Sequence, residues 1–477
     1  MLEKRDFYIN GQWVKPAKAN DLNVINPANE EPCAVISLGS QDDTDAAVAA
    51  AKAAFEPWAM TPKGERLDLI KALLEEYKRR AGDMAEAISM EMGAPIDMAR
   101  AAQTGAGIWH IQGFIDSFND IAFETSPWPD APSEKIIHEP IGVCAMITPW
   151  NWPMNQVTLK VIPALAVGCT VVLKPSEESP LSSIVFSEIV DAVGFPKGVF
   201  NMVNGDGIGV GSQLSCHPDV DMVSFTGSTR AGRLITKAAA ETIKRVTLEL
   251  GGKGANIIFA DADEKAVVRG ARHCFGNTGQ SCNAPTRMLV ERSRYNEAVE
   301  QAAAEAQKTV VNDPAQNGRH IGPVVNKLQF DKIQGLIEVG MSEARLVAGG
   351  LGRPEGLNRG YYVRPTVFAD ANNDMTIARE EVFGPVLTMI PFDSEEEAIS
   401  ITNDTVYGLT NYIQTQDTAK AGRVARRVRS GMVRINGTDS THPSPFGGYK
   451  QSGNGREGGP WGLEDFLEVK HVTGLES

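Results

Sequence analysis

The sequence predicts an α/β fold built on parallel sheets, and three observations lead to that prediction. Short apolar runs alternate with helical patterns between residues 141 and 251, which is typical of parallel βαβ units. The same alternation of short apolar runs and helical patterns recurs from residue 256 to about residue 433. At roughly 100–200 residues per domain, a chain of 477 residues corresponds to two to four domains. We therefore expect two α/β domains and a smaller β element.

The composition is that of a globular protein with an acidic surface. Hydrophobic residues make up 42% and charged residues 22% of the chain, which is ordinary for globular domains. The 46 Lys and Arg residues against 60 Asp and Glu residues give a net charge of −14, which argues against nucleic acid or anionic membrane as a partner. The longest nearly unbroken apolar run, Val161–Leu173, contains Pro163 and Gly168 and is too short to span a bilayer.

The cysteine pattern indicates a reducing compartment and predicts no metal site. The six cysteines show no CxxC spacing, and the neighbouring pairs Cys216–His217 and His273–Cys274 lack zinc-like spacing. We therefore expect no disulfide framework and predict a cytoplasmic protein. The first residues, MLEKRDFYINGQW, also lack the apolar core of a signal peptide.

The first 120 residues predict turns followed by helices. Residues 1–40 are rich in Asn, Pro and Gly, which is typical of hairpins and turns. Helical spacing of apolar residues then predicts helices over Asp42–Phe55, Glu65–Arg80 and Asp83–Met92, and a further one from about Met98 to Phe118.

Two sheets and their helices follow. The first sheet is predicted from the runs Val143–Thr148, Thr170–Lys174, Val199–Val203, Met222–Thr226 and Val246–Leu250. The second is predicted from Asn256–Ala260, Arg287–Glu291 and Val386–Ile390. Helices are predicted over Ser182–Val193, Ala231–Ala240, Tyr295–Thr309 and Glu395–Thr402. Because ligands of parallel sheets bind at the carboxyl ends of the strands, functional side chains are expected just after each strand.

A glycine-containing turn follows the strand Met222–Thr226. Its residues 227–232 read GSTRAG and lead into a predicted helix. Glycines at such a turn let the backbone approach a phosphate, Ser228 can donate a hydroxyl, and the helix N-terminus offers N–H groups. Since the motif is neither GxGxxG nor a Walker loop, an ordinary glycine-rich turn is an equal alternative.

Lys174 and Glu177 stand at the end of the strand Thr170–Lys174. Such a pair can hold a ribose through its hydroxyls, and an acidic group there favours a free 2′-hydroxyl and hence NAD over NADP. The alternative is a cap, with Ser176 or Glu177 at the start of the next helix.

A cysteine ends the small polar segment NTGQSC at residues 277–282. Substrate could reach Cys282 there, and a thiolate is a strong nucleophile toward a carbonyl group. Two alternatives stay open from the residues alone. One is an inert cysteine, and the other is a protease-like Cys–His pair with His273 or another histidine.

Glu249 and Asn151 complete the set of chemical candidates. Glu249 lies in an apolar strand, where burial would raise its pKa and suit it to general-base work, although strand alternation also allows it to face solvent. Asn151 lies in TPWNWP between Pro149 and Pro153. A side-chain amide fixed in this way can donate to an oxyanion, or it can bond only to backbone.

Together and in this order, the motifs resemble the aldehyde dehydrogenase superfamily over almost the whole chain. The segments that carry the resemblance are TPWNWP at 148–153, KPSE at 174–177, FTGSTRAG at 225–232, LELGGK at 248–253, NTGQSC at 277–282, EEVFGPV at 380–386 and PFGGYKQSG at 445–453. The resemblance implies a Rossmann-like NAD-binding domain (1–120 and 141–251), a second α/β catalytic domain (252–452) and a small β oligomerisation arm (121–140 and 453–477).

The resemblance also implies the roles of single residues. Cys282 matches the nucleophile, Glu249 matches the general base that activates the deacylating water, and Asn151 with the backbone N–H of Cys282 matches the oxyanion hole. The matching cofactor positions are Ile147, Trp150, Lys174, Glu177, Gly207, Phe225, Gly227, Ser228, Gly232, Leu250, Gln329, Glu381 and Phe383. Lys160, like Gln329, is a weaker match. No metal is implied.

The implied reaction is the NAD-dependent oxidation of an aldehyde to a carboxylic acid, with NADP as the alternative cofactor. It passes through a thiohemiacetal and a thioester on the cysteine. Family members that pass the acyl group to coenzyme A typically lack a base at the position of Glu249, so its presence favours hydrolysis. The alternatives are a cysteine-based esterase or acyl transferase without net redox, and a non-catalytic NAD-binding protein on the same fold.

Several residues near the implied substrate channel are more polar than is typical of the family. They are Asn155, Gln156, Asn283, Ser440 and His442. They favour a hydroxy-, keto- or acid-bearing aldehyde, unless they lie away from the channel. The expected partners are this small molecule and further copies of the chain in a homodimer or homotetramer.

Overall fold

The strands of the protein form two large sheets and two small ones. A computed structural model describes residues 1–475. The strands are β1 (Leu2–Glu3), β2 (Phe7–Ile9), β3 (Gln12–Val14), β4 (Asp21–Asn26), β5 (Glu31–Ser37), β6 (Glu124–Thr125), β7 (Lys135–Pro140), β8 (Val143–Ile147), β9 (Thr170–Lys174), β10 (Phe200–Met202), β11 (Met222–Thr226), β12 (Arg245–Glu249), β13 (Ala255–Ile258), β14 (Arg287–Glu291), β15 (Arg345–Ala348), β16 (Thr366–Ala369), β17 (Val386–Phe392), β18 (Thr410–Gln414), β19 (Met432–Ile435), β20 (Gly453–Asn454) and β21 (Leu467–Val472).

Helices connect most of these strands. They are α1 (Gln41–Ala59), α2 (Lys63–Arg79), α3 (Ala81–Met92), α4 (Ile96–Met98), α5 (Thr104–Asn119), α6 (Pro153–Val167), α7 (Leu181–Val193), α8 (Ser212–Cys216), α9 (Thr229–Ala239), α10 (Ala266–Phe275), α11 (Tyr295–Lys308), α12 (Lys327–Glu343), α13 (Thr376–Arg379), α14 (Glu395–Asn403), α15 (Thr418–Arg427) and α16 (Gly459–Glu464). A π-helical turn, Ala99–Gln103, joins α4 to α5, so the predicted helix from Met98 to Phe118 is continuous but changes its winding.

The first sheet has the order β20-β12-β11-β8-β9-β10-β2-β3, and its strands from β8 to β12 run parallel. Both faces are covered. Cys144 and Met146 pack with α6 and α7, whereas Val143 and Ala145 pack with α1 and α9. This two-sided burial explains why the strand appears in the sequence as an unbroken apolar run.

The second sheet has the order β15-β16-β17-β14-β13-β18-β19 and is parallel except for the pair β15–β16. Helices α10 and α11 cover one face and α14 and α15 cover the other. The predicted α/β fold class is thereby confirmed.

The arm is an antiparallel sheet of order β21-β7-β6. The structure differs from the predicted arm segment at its start, because β20 pairs with β12 of the first sheet rather than with the arm. The N–H of Leu250 also donates to the carbonyl of Ser452, which ties this stretch to the sheet. The other domain boundaries stay predictions, and residues 476 and 477 of the predicted arm lie outside the described residues.

Within residues 1–475, no helix combines the length and the apolar character needed to cross a membrane.

Candidate active site

Several predicted residues meet at the carboxyl edge of the first sheet because their strands are paired in register. Ile147 pairs with Lys174 on one side and with Phe225 on the other. Thr226 pairs with Glu249. The candidate cofactor residues and the candidate base therefore end neighbouring strands, which is the place where ligands of parallel sheets bind.

The loop that carries Cys282 has an unusual backbone. Asn277 and Thr278 have φ values of 50° and 58°, a left-handed conformation that is rare for a β-branched residue. Thr278 Oγ1 donates to the carbonyl of Gly322 at 3.0 Å. This bond to a distant segment of the chain stabilises the strained turn. Strain of this kind persists only where the surroundings impose it, and it is common at functional sites.

The segment after Glu249 passes directly beside the cysteine. A Cβ atom at Gly252 would lie 2.4 Å from the carbonyl oxygen of Cys282, so only glycine fits there. The N–H of Gly252 donates to Glu381 Oε1 at 2.7 Å. The structure thus brings Cys282, Glu381 and the end of β12 together.

The surroundings of Cys282 favour the protonated form of its thiol. Burial, followed by the charges of Glu381 and Glu249, raises the pKa of Cys282 well above its usual range, and its own backbone N–H acts in the opposite direction. A base is therefore required to generate the thiolate.

Glu249 is buried, with 4% of its surface exposed, so the alternative of a solvent-facing strand residue is wrong. Among the described residues, neither of its carboxylate oxygens has a hydrogen-bond partner. Burial, with a contribution from Glu457, raises the pKa of Glu249 well above its ordinary value, while Lys160 lowers it. The ammonium of Lys160 bonds to Glu457 and donates to Ser224 Oγ at 3.3 Å. A buried carboxyl group without a partner is suited to proton transfer.

Asn151 lies against the cysteine loop. Its Nδ2 donates to the carbonyl of Gln280 at 3.0 Å, which uses one of the two amide hydrogens. The neighbouring Trp152 donates from Nε1 to Ser281 Oγ at 2.8 Å. These contacts hold Asn151 against the two residues that precede Cys282.

After the turn that follows β11, the first turn of α9 packs closely against the residue that follows β12. A Cβ atom at Gly232 would lie 2.9 Å from Leu250 Cδ1. Ser228 is the N-cap of α9 and accepts from the N–H of Ala231 at 3.2 Å. The N–H of Gly227 donates to the carbonyl of Glu249 at 3.0 Å, which links the turn to the strand of the candidate base.

Lys174 and Glu177 form an ion pair at the end of β9, with 3.4 Å between Nζ and Oε2. Lys174 is buried and also donates to the carbonyl of Pro175 at 2.6 Å. The N-terminus of α7 is instead satisfied by Glu91, which accepts from the N–H and the hydroxyl of Ser182 at 3.1 and 2.6 Å. The alternative in which Glu177 caps this helix is therefore wrong.

The structure also places four further predicted positions. The ring of Phe383 packs edge-on against Trp150, with 5.5 Å between centroids. Gln329 lies in the first turn of α12, and its buried Oε1 has no partner among residues 1–475. Gly207 begins the π-helical turn Gly207–Gly211, at some distance in sequence from the other predicted positions.

His273 does not pair with the cysteine. Its ring packs edge-on against Tyr412, with 5.0 Å between centroids, and burial lowers its pKa to about 4. No hydrogen bond joins a histidine to Cys282 within the part of the chain that the structure describes. Residues 1–475 also contain no group of three or more His, Cys, Asp or Glu side chains that could hold a metal ion.

Comparison with known proteins identifies the family. The model of the aldehyde dehydrogenase family matches residues 13–472. The chain belongs to this family. Its fold class, its recognition as an aldehyde dehydrogenase and its class as an aldehyde-oxidising, NAD-dependent enzyme were predicted from the sequence and are confirmed.

Three relatives illustrate the similarity. A 3-succinoylsemialdehyde-pyridine dehydrogenase from a Pseudomonas species is 50% identical over the whole of both chains. The crystal structure of an aldehyde dehydrogenase from Bartonella henselae is 58% identical and superposes with a TM-score of 0.98 over 99% of this chain and 100% of that chain. Aldehyde dehydrogenase C from Pseudomonas syringae, solved as a mutant with NAD⁺ and octanal, is 48% identical with a TM-score of 0.97 over 99% and 97% of the two chains.

The residues of this aldehyde dehydrogenase fit a dinucleotide. The N-terminus of α9, where Gly232 leaves little space for a side chain, offers a phosphate site. The carboxylate of Glu177 offers a ribose site on the same edge of the sheet.

Two residues of the site were not predicted from the sequence. Gln103 and Asn277 both bond to the carbonyl of Asn151, at 3.1 and 3.0 Å. A glutamine at a buried position of a helix is the only local signal for the first, and Asn277 was noted only as part of a polar loop.

Proposed function

We propose that the chain oxidises a neutral, polar aldehyde to the free carboxylic acid, with Cys282 as nucleophile, Glu249 as general base and Asn151 as oxyanion donor. The observation that carries the proposal is the close passage at Gly252, where the end of the Glu249 strand, Cys282 and Glu381 meet. A nucleophile, a base and a fixed donor at one point are the parts that acyl chemistry needs.

Each residue has a defined task in the proposed mechanism. Glu249 takes the proton of the Cys282 thiol, and the thiolate adds to the carbonyl carbon to give a thiohemiacetal. Asn151 Nδ2 and the N–H of Cys282 donate to its oxyanion. A bound NAD would supply the hydride acceptor that converts this adduct into a thioester on the sulfur of Cys282. Glu249 first passes the thiol proton to solvent and then takes a proton from the attacking water. The resulting tetrahedral adduct expels the sulfur of Cys282, which regains a proton from Glu249, and the carboxylic acid is released.

We propose that NAD is preferred over NADP. Lys174 and Glu177 would hold the adenosine ribose, and the carboxylate would repel a 2′-phosphate. Ser228 and the N-terminus of α9 would hold the pyrophosphate. Glu381 and Phe383 would contact the nicotinamide half.

The substrate proposal depends on a polar pair between α5 and α6. His110 Nε2 lies 2.8 Å from Asn155 Oδ1, one helical turn after Trp152. Burial lowers the pKa of His110 to about 4, so the pair is neutral at physiological pH. It would favour a neutral hydrogen-bonding group, such as a ketone or a heteroaromatic nitrogen, over a carboxylate. The Pseudomonas relative is named for a pyridine-bearing semialdehyde, which supports this class.

We propose a homodimer or homotetramer that forms through the arm. Strand β21 is an edge strand, and its Val469 is 65% exposed. An exposed edge with an apolar side chain is a template for pairing with another chain. Six free thiols support a reducing compartment, and we propose the cytoplasm.

The test is NADH formation from NAD and a panel of aldehydes. The panel contains a pyridine-bearing keto-aldehyde, an acid-bearing aldehyde and octanal, and Cys282→Ala is the control. NADH from the wild type alone, fastest with the keto-aldehyde, supports the proposal. Ester cleavage without NAD that exceeds every oxidation would instead favour the cysteine-based esterase. A preference for octanal would refute the polar substrate class and leave the chemistry intact.

A further inference from the structure

Three side-chain amides and two backbone carbonyls form a closed ring beside Cys282. Gln103 Nε2 donates to the carbonyl of Asn151 at 3.1 Å and to Asn277 Oδ1 at 3.4 Å. Asn277 Nδ2 donates to the same carbonyl of Asn151 at 3.0 Å and to the carbonyl of Gln280 at 3.2 Å. Asn151 Nδ2 closes the ring by donating to the carbonyl of Gln280 at 3.0 Å.

The ring is shielded from water, which makes its geometry rigid. Gln103, Asn151, Asn277 and Gln280 are all buried. Gln280 is further anchored because its Oε1 accepts from the N–H of Val325 at 2.9 Å. In a low-dielectric interior such bonds are stronger than in water, and a connected network specifies one arrangement.

Gln103 reaches this ring because the helix winds irregularly at that point. It ends the π-helical turn Ala99–Gln103, and one extra residue in a turn rotates the following face by about 100°. Single π-helical turns are rare and frequently lie at functional sites.

Tyr77 contacts the helix directly after the π-helical turn. Its hydroxyl donates to the carbonyl of Thr104 at 3.3 Å. A Cβ atom at Gly107 would lie 2.3 Å from that hydroxyl oxygen, so glycine at this position lets the tyrosine reach the helix backbone.

We propose that Gln103 is a positioning residue for the oxyanion hole, acting through Asn151. The proposal rests on the proposed function. Gln103 and Asn277 fix the backbone of Asn151, and Gln280 fixes one hydrogen of its amide, so the second hydrogen keeps one direction. Because Gln280 lies two residues before Cys282, its bond to Asn151 fixes the position of the proposed oxyanion donor relative to the proposed nucleophile. Preorganised donors of this kind lower the barrier because they need no reorientation during the reaction.

The first test is Gln103→Met, which keeps the size of the side chain and removes its donor. We expect the rate of the NADH-forming step to fall about 10- to 100-fold, as small misplacements of reacting groups do, with the Kd for NAD unchanged. The primary isotope effect on that step with a C1-deuterated aldehyde should decrease toward 1, because formation of the oxyanion, which breaks no C–H bond, becomes rate-limiting. A merely structural role would change the unfolding temperature but not the isotope effect.

A double-mutant cycle separates positioning from other causes. In an Asn151→Ala background, Gln103→Met should cost less than about 2-fold, because the group that it positions is gone. Asn277→Gly provides a second route if the methionine variant does not fold, since glycine accepts the φ of 50° and removes the same ring. Its rate should fall by a similar factor, again only when Asn151 is present.

The matched control is Asn201→Leu in the first sheet. Asn201 is a fully buried amide that donates to the carbonyls of Val171 and Gly198 at 3.2 and 2.8 Å. Its removal should lower stability and leave the NADH-forming rate of the folded enzyme unchanged. Full activity of both ring variants, or an equal loss with and without Asn151, overturns the proposal. Absence of NADH from the wild type overturns the proposed function and this inference with it.

Discussion

The glycine-containing turn after β11 and the loop that carries Cys282 are built in opposite ways. Residues 226–232 run from a regular strand into a regular helix, and Ser228 caps that helix locally. Residues 277–282 hold two non-glycine residues with positive φ, and their bonds reach Gln103, Asn151 and Gly322. The first region is shaped mainly by its own strand and helix and touches only the end of β12 in the contacts described above, whereas the second depends on partners from three other segments of the chain.

The comparison indicates how each region responds to change. We expect a substitution in residues 226–232 to weaken cofactor binding only in part, because β11 and α9 keep their positions. A substitution in the nucleophile loop alters the chemical step, because the geometry of the reacting groups is shared among several segments. The predictions below test this contrast, beginning with the largest effect.

Cys282→Ala should abolish NADH formation, a loss on the order of 10⁴-fold or more, because the nucleophile is removed. Steady-state absorbance of NADH measures it. The matched control is Cys274→Ala, which removes a buried thiol only eight residues earlier at the end of α10 and should keep its activity. Residual turnover in Cys282→Ala close to that of the control would refute covalent catalysis.

Glu249→Gln should lower steady-state turnover about 10²- to 10⁴-fold, because the water that releases the thioester loses its base. Rapid mixing should show at most one equivalent of NADH per active site, followed by a stall. Glu305→Gln, a buried glutamate that pairs with Arg272 at the surface, is the control. Unchanged steady-state turnover in Glu249→Gln would assign the base to another residue.

The steady-state rate should rise with pH. Burial raises the pKa of Glu249, and a general base acts only when it is deprotonated, so the active fraction grows as pH increases through that pKa. The profile of kcat between about pH 6 and pH 10 measures this rise. In Glu249→Gln the rise should disappear from the deacylation rate, and a profile unchanged by this substitution would contradict the assignment.

Gly232→Val should weaken NAD binding about 10-fold, because the added side chain would meet Leu250 and widen the passage between α9 and β12. Titration of intrinsic fluorescence with NAD measures the Kd. Gly335→Val is the control, since Gly335 is an exposed helical glycine and an added Cβ atom would have no neighbouring atom within 4 Å. If Gly232→Val lowers kcat without changing the Kd for NAD, residues 226–232 affect the chemical step as the Cys282 loop does, and the expected difference between the two regions is refuted.

Glu177→Ser should improve the use of NADP relative to NAD by a few-fold to about 10-fold, because a carboxylate no longer faces the 2′-phosphate. The ratio of kcat/KM for the two cofactors measures it. Glu241→Ser removes the same charge at an exposed position beyond the end of α9 and should leave the ratio unchanged. An unchanged ratio in Glu177→Ser would place the ribose elsewhere.

Much of the fold and of the site could be predicted from the sequence. The apolar runs at β8, β9, β11 and β14 agree with the observed strands to within one residue, because strands buried on both faces leave a strong local pattern. Cys282, Glu249 and Asn151 were identified because the family motifs are contiguous stretches. The π-helical turn was not predicted, since it shifts only the phase of the apolar pattern, and five residues are too few to reveal such a shift.

The sequence by itself determined the family, the α/β class, the chemistry-bearing residues and the acidic surface. Those properties depend on residue types and on spacing along the chain. Only the tertiary structure decided that Glu249 is buried without a partner among the described residues, that Glu91 rather than Glu177 caps α7, and that Gln103 and Asn277 hold Asn151. Long-range hydrogen bonds join residues as far apart as the 174 positions between Gln103 and Asn277 and the 297 positions between Lys160 and Glu457, and no local pattern records which residues will meet.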